Sequence, residues 1–204
     1  MIANLLSPMR ASGGLQNSLD FPGCNVKTYS YRDRPSFIRR NSRYAADFTR
    51  VMKPIIAVDP GKSGGIAWCD SDGVCRTDRL PDTVHDLVDI LRTLRTSGVE
   101  IAYIEKVGGY IAGSPAPGSA MFGFGRNVGQ LEGVLATLGF RIEEVLPRTW
   151  QKPLGIGTRS GCDSPADWKR KLKDVCQRRF PYLDVTLKTA DALLILDYAI
   201  SQNK

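Results

Sequence analysis

Three acidic residues stand where strand or helix patterns begin or end, and their side chains could bind a divalent metal ion. Asp59 directly follows the apolar run Pro54–Val58, and Glu105 directly follows the apolar run Ile101–Ile104. Asp191 lies in the first turn of the last apolar helix pattern. Carboxylates that converge repel one another unless a cation neutralises them. Oxygen ligands without His or Cys favour Mg²⁺ or Mn²⁺, and such ions can promote phosphodiester hydrolysis.

Each acid also has an ordinary structural interpretation. Asp59 could bond to the Pro-Gly turn that follows it, and Asp191 could be a helix N-terminal acid favoured by the helix dipole. Glu105 and Lys106 could form a surface ion pair. Glu105 fits this alternative least well, because it emerges directly from the pattern of a buried strand.

The charge distribution suits a protein that binds a polyanion. The 204-residue chain has a formal net charge of +7. Residues 1–52 contain eight Lys/Arg and three Asp/Glu, and residues 141–188 contain eleven Lys/Arg and six Asp/Glu, whereas residues 53–140 are net acidic. Basic flanks beside an acidic centre fit a protein that grips nucleic acid around a carboxylate metal site. A solvated basic surface is the alternative.

Cysteine and histidine usage argues against other classes of site. The five cysteines are scattered without a C-x-x-C pair, and His85 is the only histidine, so a structural zinc site is not expected. The cysteine pattern suggests reduced thiols in a cytosol-like compartment. With one histidine, on a predicted surface helix, a histidine base is a poor candidate. No apolar run reaches the roughly 20 residues of a membrane span, so no membrane partner is expected.

Hydrophobic periodicity predicts an α/β fold. Strand patterns occur at residues 54–58, 66–69, 74–77, 101–104 and 141–146. Helix patterns occur at residues 84–96, 119–138 and 165–180, and from 189 to the end. The first three strands are joined by tight turns and form an antiparallel meander, and strand–helix units follow. The order predicts a mixed five-stranded sheet flanked by helices on both faces.

Three motifs follow one another in a fixed order. The first is Ile56-Ala-Val-Asp-Pro-Gly61 with Ser63-Gly-Gly-Ile-Ala-Trp68, the second is Tyr103-Ile-Glu-Lys106, and the third is Thr189-Ala-Asp-Ala-Leu-Leu194. Together they resemble the RuvC-like Holliday junction resolvases, above all the phage and prophage versions and the chloroplast resolvase of plants. The resemblance covers residues 54–201.

The resemblance implies an RNase H-like fold and a homodimer that cleaves four-way junctions or other branched DNA with Mg²⁺ (or Mn²⁺). Asp59, Glu105 and Asp191 match the family's catalytic, metal-binding acids. The family usually has a fourth acid one turn before the last, but this chain has Lys188 three residues before Asp191. Either Lys188 acts on the scissile phosphate or water in place of a carboxylate, or Asp184 or another acid takes that place.

Further residues are candidates for DNA contact. Three aromatic side chains could stack on or wedge open a base step at a junction, with core packing as the alternative: Tyr110, Phe122 and Phe124. Seven basic side chains are candidates for phosphate contact, with a solvated surface as the alternative: Lys106, Arg126, Lys152, Lys169, Arg170, Lys171 and Lys173.

The chain divides into two segments. Residues 1–52 show no periodicity and predict a largely disordered basic leader before an RNase H-like nuclease domain at 53–204. The Arg-rich leader also fits an organellar transit peptide, an upstream start-site extension or a DNA-binding arm. Without a transit peptide, a cytoplasmic location in a phage or bacterial setting is expected.

The implied dimer suits a substrate with matching two-fold symmetry. The helix at 119–138 is the candidate interface, through Val128, Leu131, Val134 and Leu135, with intramolecular packing against the sheet as the alternative. A junction-binding protein without cleavage, in which Lys188 marks a decayed site, is the alternative function. A transposase or an actin-like kinase would need a further domain or a second glycine motif that the sequence does not show.

Overall fold

A mixed β-sheet forms the centre of the computed structural model, which describes residues 52–61, 63–108 and 118–203 and the backbone of Tyr29–Ser30. Its strands are β1 Tyr29–Ser30, β2 Ile55–Asp59, β3 Gly65–Cys69, β4 Val74–Arg79, β5 Ile101–Glu105 and β6 Arg141–Val145. Their order across the sheet is β1-β4-β3-β2-β5-β6. β2, β3 and β4 form an antiparallel meander, whereas β5 and β6 run parallel to β2.

In the part of the chain that the structure describes, five α-helices cover the two faces of the sheet. They are α1 Val84–Thr96, α2 Gly118–Thr137, α3 Pro147–Gln151, α4 Pro165–Arg179 and α5 Ala190–Gln202. Side chains alternate along each strand, so each strand contributes to two cores. Ile56 and Val58 pack with α1 and α2 on one face, and Ile55 and Ala57 pack with α3, α4 and α5 on the other. Nearly all residues of α5 are buried, on every face of the helix, as expected of a helix that is apolar on all sides.

Short-range signals in the sequence start several of these elements. Asp70 Oδ1 accepts hydrogen bonds from Asp72 N and Val74 N at 3.1 and 2.8 Å, which shapes the β3–β4 hairpin turn. The side chains of Thr83 and Ser164 accept from the backbone N–H three residues later and so cap α1 and α4. The predicted elements therefore begin where their capping and turn residues stand.

The predicted α/β fold with its mixed five-stranded sheet and helices on both faces is confirmed. Tyr29–Ser30, from within the predicted leader, adds a short sixth strand beside β4. The rest of residues 1–51 lies outside the described residues. α3 was not predicted, because five residues are too few to show a helical period. In the described residues, no helix is long and apolar enough to cross a membrane.

One expectation about α2 needs correction. Leu131 and Leu135 lie in the core against the sheet, so these two side chains are not available to a dimer interface. Val128 and Val134 are half-buried. The apolar stripe of an amphipathic helix serves the core of its own chain first, which explains the error.

Candidate active site

The sheet register brings Asp59 and Glu105 together. Val58 pairs with Ile104 in the parallel β2–β5 ladder, and Asp59 and Glu105 are the next residues on each strand. Both acids therefore end neighbouring parallel strands at the same edge of the sheet. By strand alternation they share the face that packs against α4 and α5.

A close backbone contact brings the start of α5 to the same place. Gly65 pairs with Asp59 across the β2–β3 ladder. A Cβ atom at Gly65 would lie 2.5 Å from the carbonyl oxygen of Lys188 and 3.1 Å from Thr189 Cα, so only glycine lets the chain before α5 approach β3 this closely. Asp191, the second residue of α5, is thereby carried to the end of β2.

Hydrogen bonds fix the turn that leads into α5. Thr186 N donates to Thr189 Oγ1 at 3.0 Å, and Thr189 N donates to Thr186 Oγ1 at 3.2 Å. Lys188 N also donates to Thr186 Oγ1 at 3.3 Å. These bonds stabilise one geometry of the turn and with it the position of Asp191.

Burial and mutual repulsion act on the three acids. Burial, then the charge of Asp191 and then that of Glu105, raise the pKa of Asp59 to about 8. Burial and the charge of Asp191 raise the pKa of Glu105 to about 7, against the lowering effects of a hydrogen bond from Trp150 and of the charge of Lys169. Asp191 is only 5% exposed, and its Oδ1 is buried without a hydrogen-bond partner. Such a cluster favours a bound cation.

Lys169 supplies a positive charge at this cluster. Its Nζ donates to Asp191 Oδ2, and its side chain is 46% exposed. Burial lowers the pKa of the Lys169 ammonium, but Asp191, Asp59 and Glu105 together raise it more, so its pKa lies above the ordinary value. From the sequence, Lys169 is expected only among the phosphate contacts. Its spacing of three and seven residues from Leu172 and Cys176, both buried, was the available signal that it borders the inner face of α4.

Trp150 is a second residue that the sequence analysis did not identify. Its indole Nε1 donates to Glu105 Oε2 at 3.0 Å. The two residues are 45 positions apart and belong to different elements, so no local pattern in the sequence could connect them.

Lys188 is exposed and lines a cavity of about 420 Å³. The other residues that line this cavity are Thr77, Asp78, Arg79, Leu183, Asp184, Thr186 and Thr189. Asp184, the alternative fourth acid, lines the same cavity. The ammonium group that contacts an acid of the cluster belongs to Lys169, and a role for Lys188 on the phosphate stays a prediction.

The donor set fits a hard divalent ion, although the side chains are not pre-arranged around one. Among the described residues, no three His, Cys, Asp or Glu side chains form a ready group of metal ligands. Asp59, Glu105 and Asp191 nevertheless interact strongly enough to raise two pKa values, and Asp191 keeps one oxygen without a partner. The other Asp191 oxygen accepts a hydrogen bond from the Lys169 ammonium group.

The aromatic candidates for DNA contact lie on α2. Phe122 is 75% exposed, whereas Phe124 is half-buried and packs on the turn after Asp59, 3.1 Å from the position of a Cβ atom on Gly61. Phe124 therefore serves packing at least in part. Tyr110 lies outside the described residues.

The basic candidates lie on several elements. Lys106, next to Glu105, forms a 2.7 Å ion pair with Glu144. Arg170 on α4 pairs with Asp167 at 3.1 Å. Of the remaining candidates, Lys173 is half-buried and the others are exposed: Arg126, Lys152 and Lys171.

The fold and this site together define an α/β protein with a mixed sheet and three carboxylates at the ends of its central strands and the start of its last helix. No protein-family model and no curated protein sequence matches the chain. Among solved structures, it is similar to Thermus thermophilus RuvC, with 12% identity, 74% of this chain and 97% of that chain covered, and a TM-score of 0.46. The T. thermophilus RuvC complex with a Holliday junction substrate gives 13% identity, 73% and 94% coverage, and a TM-score of 0.48.

Proposed function

We propose that this chain is a metal-dependent endonuclease that cleaves branched DNA, in particular four-way junctions, by phosphodiester hydrolysis. The observation that carries the proposal is the cluster of Asp59, Glu105 and Asp191. These acids come from three separate elements and are mostly buried, and the charge of Asp191 raises the pKa of both Asp59 and Glu105. A structural role would not require three partly desolvated carboxylates at one place, whereas cation binding does.

Asp59, Glu105 and Asp191 would hold Mg²⁺ or Mn²⁺. The bound ion supplies Lewis-acid stabilisation of the charge that develops on the phosphate and on the leaving oxygen. The positive charge of Lys169, which contacts Asp191, offsets part of the repulsion among the three carboxylates. Because nearly half of its side chain is exposed, its ammonium group can also reach toward a phosphate of bound DNA.

Exposed basic side chains are available to contact DNA phosphates. Lys171 is exposed on α4, the helix that carries Lys169, Arg126 is exposed on α2, and Lys152 is exposed directly after α3. Phe122 offers a large exposed ring that could stack at the branch point. The choice of a four-way junction rests on the three sequence motifs that resemble junction resolvases.

A homodimer is part of the proposal. Paired cuts in a four-way junction require two active sites related by a two-fold axis. α2 has room for a partner helix, because Cβ atoms at Gly125, Gly129 and Gly133 would meet nothing within 4 Å.

The test uses a labelled synthetic four-way junction and a linear duplex of matching sequence, each with Mg²⁺ or Mn²⁺. The wild-type protein should introduce paired nicks in the junction and leave the duplex intact. The Asp59→Asn variant and the wild type in EDTA should both be inactive, while still shifting the junction in a native gel. Cleavage that persists in EDTA, or in the Asp59→Asn variant, would refute the proposed chemistry.

A junction-binding protein without cleavage is the second candidate. It is favoured by the ion pair between Lys169 and Asp191 and by the lack of a ready group of three metal ligands among the described residues. A band shift without nicks under every metal condition would support this candidate over the nuclease. The absence of both binding and nicks would exclude both functions.

A further inference from the structure

The hydrogen bond between Trp150 and Glu105 links the acid cluster to α3. The indole Nε1 of Trp150 donates to Glu105 Oε2 at 3.0 Å. An indole N–H is a donor only, so it engages one carboxylate oxygen and cannot exchange roles with it. The bond therefore defines which way the Glu105 carboxylate is turned.

Trp150 is itself held firmly. β6 ends at Val145, next to Glu105 in the parallel ladder, and Lys106 N donates to the Val145 carbonyl at 2.8 Å. The chain then turns directly into α3, with Pro147 in its first turn. The Trp150 side chain is 1% exposed and packs in the core that includes the side chains of α5. Because the indole ring is packed on all sides, its orientation is restricted. The direction in which its N–H donates is therefore fixed.

We propose that Trp150 is a positioning residue of the candidate nuclease, which holds the Glu105 carboxylate in the orientation needed to share a cation with Asp59 and Asp191. This inference rests on the proposed function. Carboxylates that bind metal ions are commonly oriented by a hydrogen bond from a second residue, and loss of that residue typically costs about 10- to 100-fold in metal affinity or activity. The alternative is that the buried indole N–H takes Glu105 merely as an acceptor for its own hydrogen bond.

The test compares Trp150→Phe with Trp68→Phe. Both changes shorten a buried tryptophan, but Trp68 lies in the core on the opposite face of the sheet. Mn²⁺ affinity of the DNA-free protein is measured by titration, and kcat and KM are measured on the four-way junction. Trp150→Phe should weaken Mn²⁺ binding and lower kcat by about 10- to 100-fold with KM for DNA unchanged. The Mn²⁺ affinity and the kcat of Trp68→Phe should both stay within about threefold of the wild-type values.

Equal effects of the two substitutions would overturn the inference. If the wild type neither binds Mn²⁺ nor cleaves, the proposed nuclease function has failed. If the wild type does both and Trp150→Phe behaves like Trp68→Phe, only the positioning role has failed.

A second measurement keeps the inference testable if Trp150→Phe does not fold. The chain has three tryptophans, so a ¹H–¹⁵N spectrum shows three indole N–H signals, which Trp68→Phe and Trp168→Phe assign by elimination. The Trp150 signal should move when Mg²⁺ is added to the wild type and again in Glu105→Gln, while the Trp68 signal stays in place. A Trp150 signal that is indifferent to both changes would overturn the inference.

Discussion

Replacing Asp59 by Asn should stabilise the protein in the absence of metal while abolishing its proposed activity. The pKa of Asp59 is raised from 3.8 to about 8, mainly by burial and by the charges of Asp191 and Glu105. One pKa unit corresponds to about 1.4 kcal/mol, so the raised pKa of Asp59 lowers the free energy of unfolding by several kcal/mol at neutral pH. Because the asparagine amide must be buried in place of the carboxyl group, which offsets part of this cost, we expect a net gain of about 2 kcal/mol in the free energy of unfolding at pH 7.

The sign of the pH dependence follows from proton binding. Between pH 4 and pH 8 the folded state keeps a proton on Asp59 that the unfolded chain releases, so the stability of the wild type should fall as pH rises through this window and level off above it. Asp59→Asn removes this titration. The advantage of the variant should therefore be small near pH 4 and largest at and above pH 8.

The assay is denaturant unfolding in EDTA at pH 5 and pH 8. Asp89→Asn is the matched control, because Asp89 is an exposed acid on α1 whose ion pair with Arg92 lies on the surface. The control should change stability by less than about 0.5 kcal/mol at both pH values. An Asp59→Asn variant that is less stable than wild type at pH 8, or equally shifted at both pH values, would refute the electrostatic description of the site.

Three further predictions follow from the contacts around the acids. Lys169→Met should lower the free energy of unfolding in EDTA by about 1 kcal/mol, since it leaves Asp191 without its ion pair at a partly exposed site, and Mg²⁺ should restore the loss in thermal denaturation. Gly65→Ala should lower the free energy of unfolding by about 1–3 kcal/mol and remove Mn²⁺ binding, because the added Cβ atom would clash with backbone atoms just before α5. The control Gly123→Ala on α2 adds a Cβ atom that contacts nothing, so the free energy of unfolding should stay unchanged or rise. Junction affinity should fall steeply with salt, and Arg170→Gln should reduce the slope of log K against log[salt] by roughly 1 in gel-shift titrations.

The fold was predictable because its signals are local. Short apolar strands, the Asp70–Gly73 turn and the caps at Thr83 and Ser164 each lie within a few residues of the element they define. Chain order then constrains the sheet, since tightly joined strands pair in antiparallel fashion and strand–helix–strand units pair in parallel. The five residues of α3 carry too little periodicity to be detected.

The site was only partly predictable. Asp59 and Glu105 could be expected to meet because both directly follow a buried strand, and parallel strands end at the same edge. The partners Lys169 and Trp150 depend on how α4 and α3 pack against the sheet, which is set by the core as a whole. The role of Lys188 was inferred only from its place three residues before Asp191, and it stays a prediction; the residue lines a cavity together with Asp184.

The most direct test of the proposed metal site is to locate manganese by anomalous diffraction in crystals soaked with Mn²⁺. We predict a peak in contact with the carboxylates of Asp59, Glu105 and Asp191, with the Lys169 ammonium released from Asp191, and no such peak in Asp59→Asn crystals. Manganese bound elsewhere, or no bound manganese while Lys169 remains paired with Asp191, would contradict the metal-dependent nuclease.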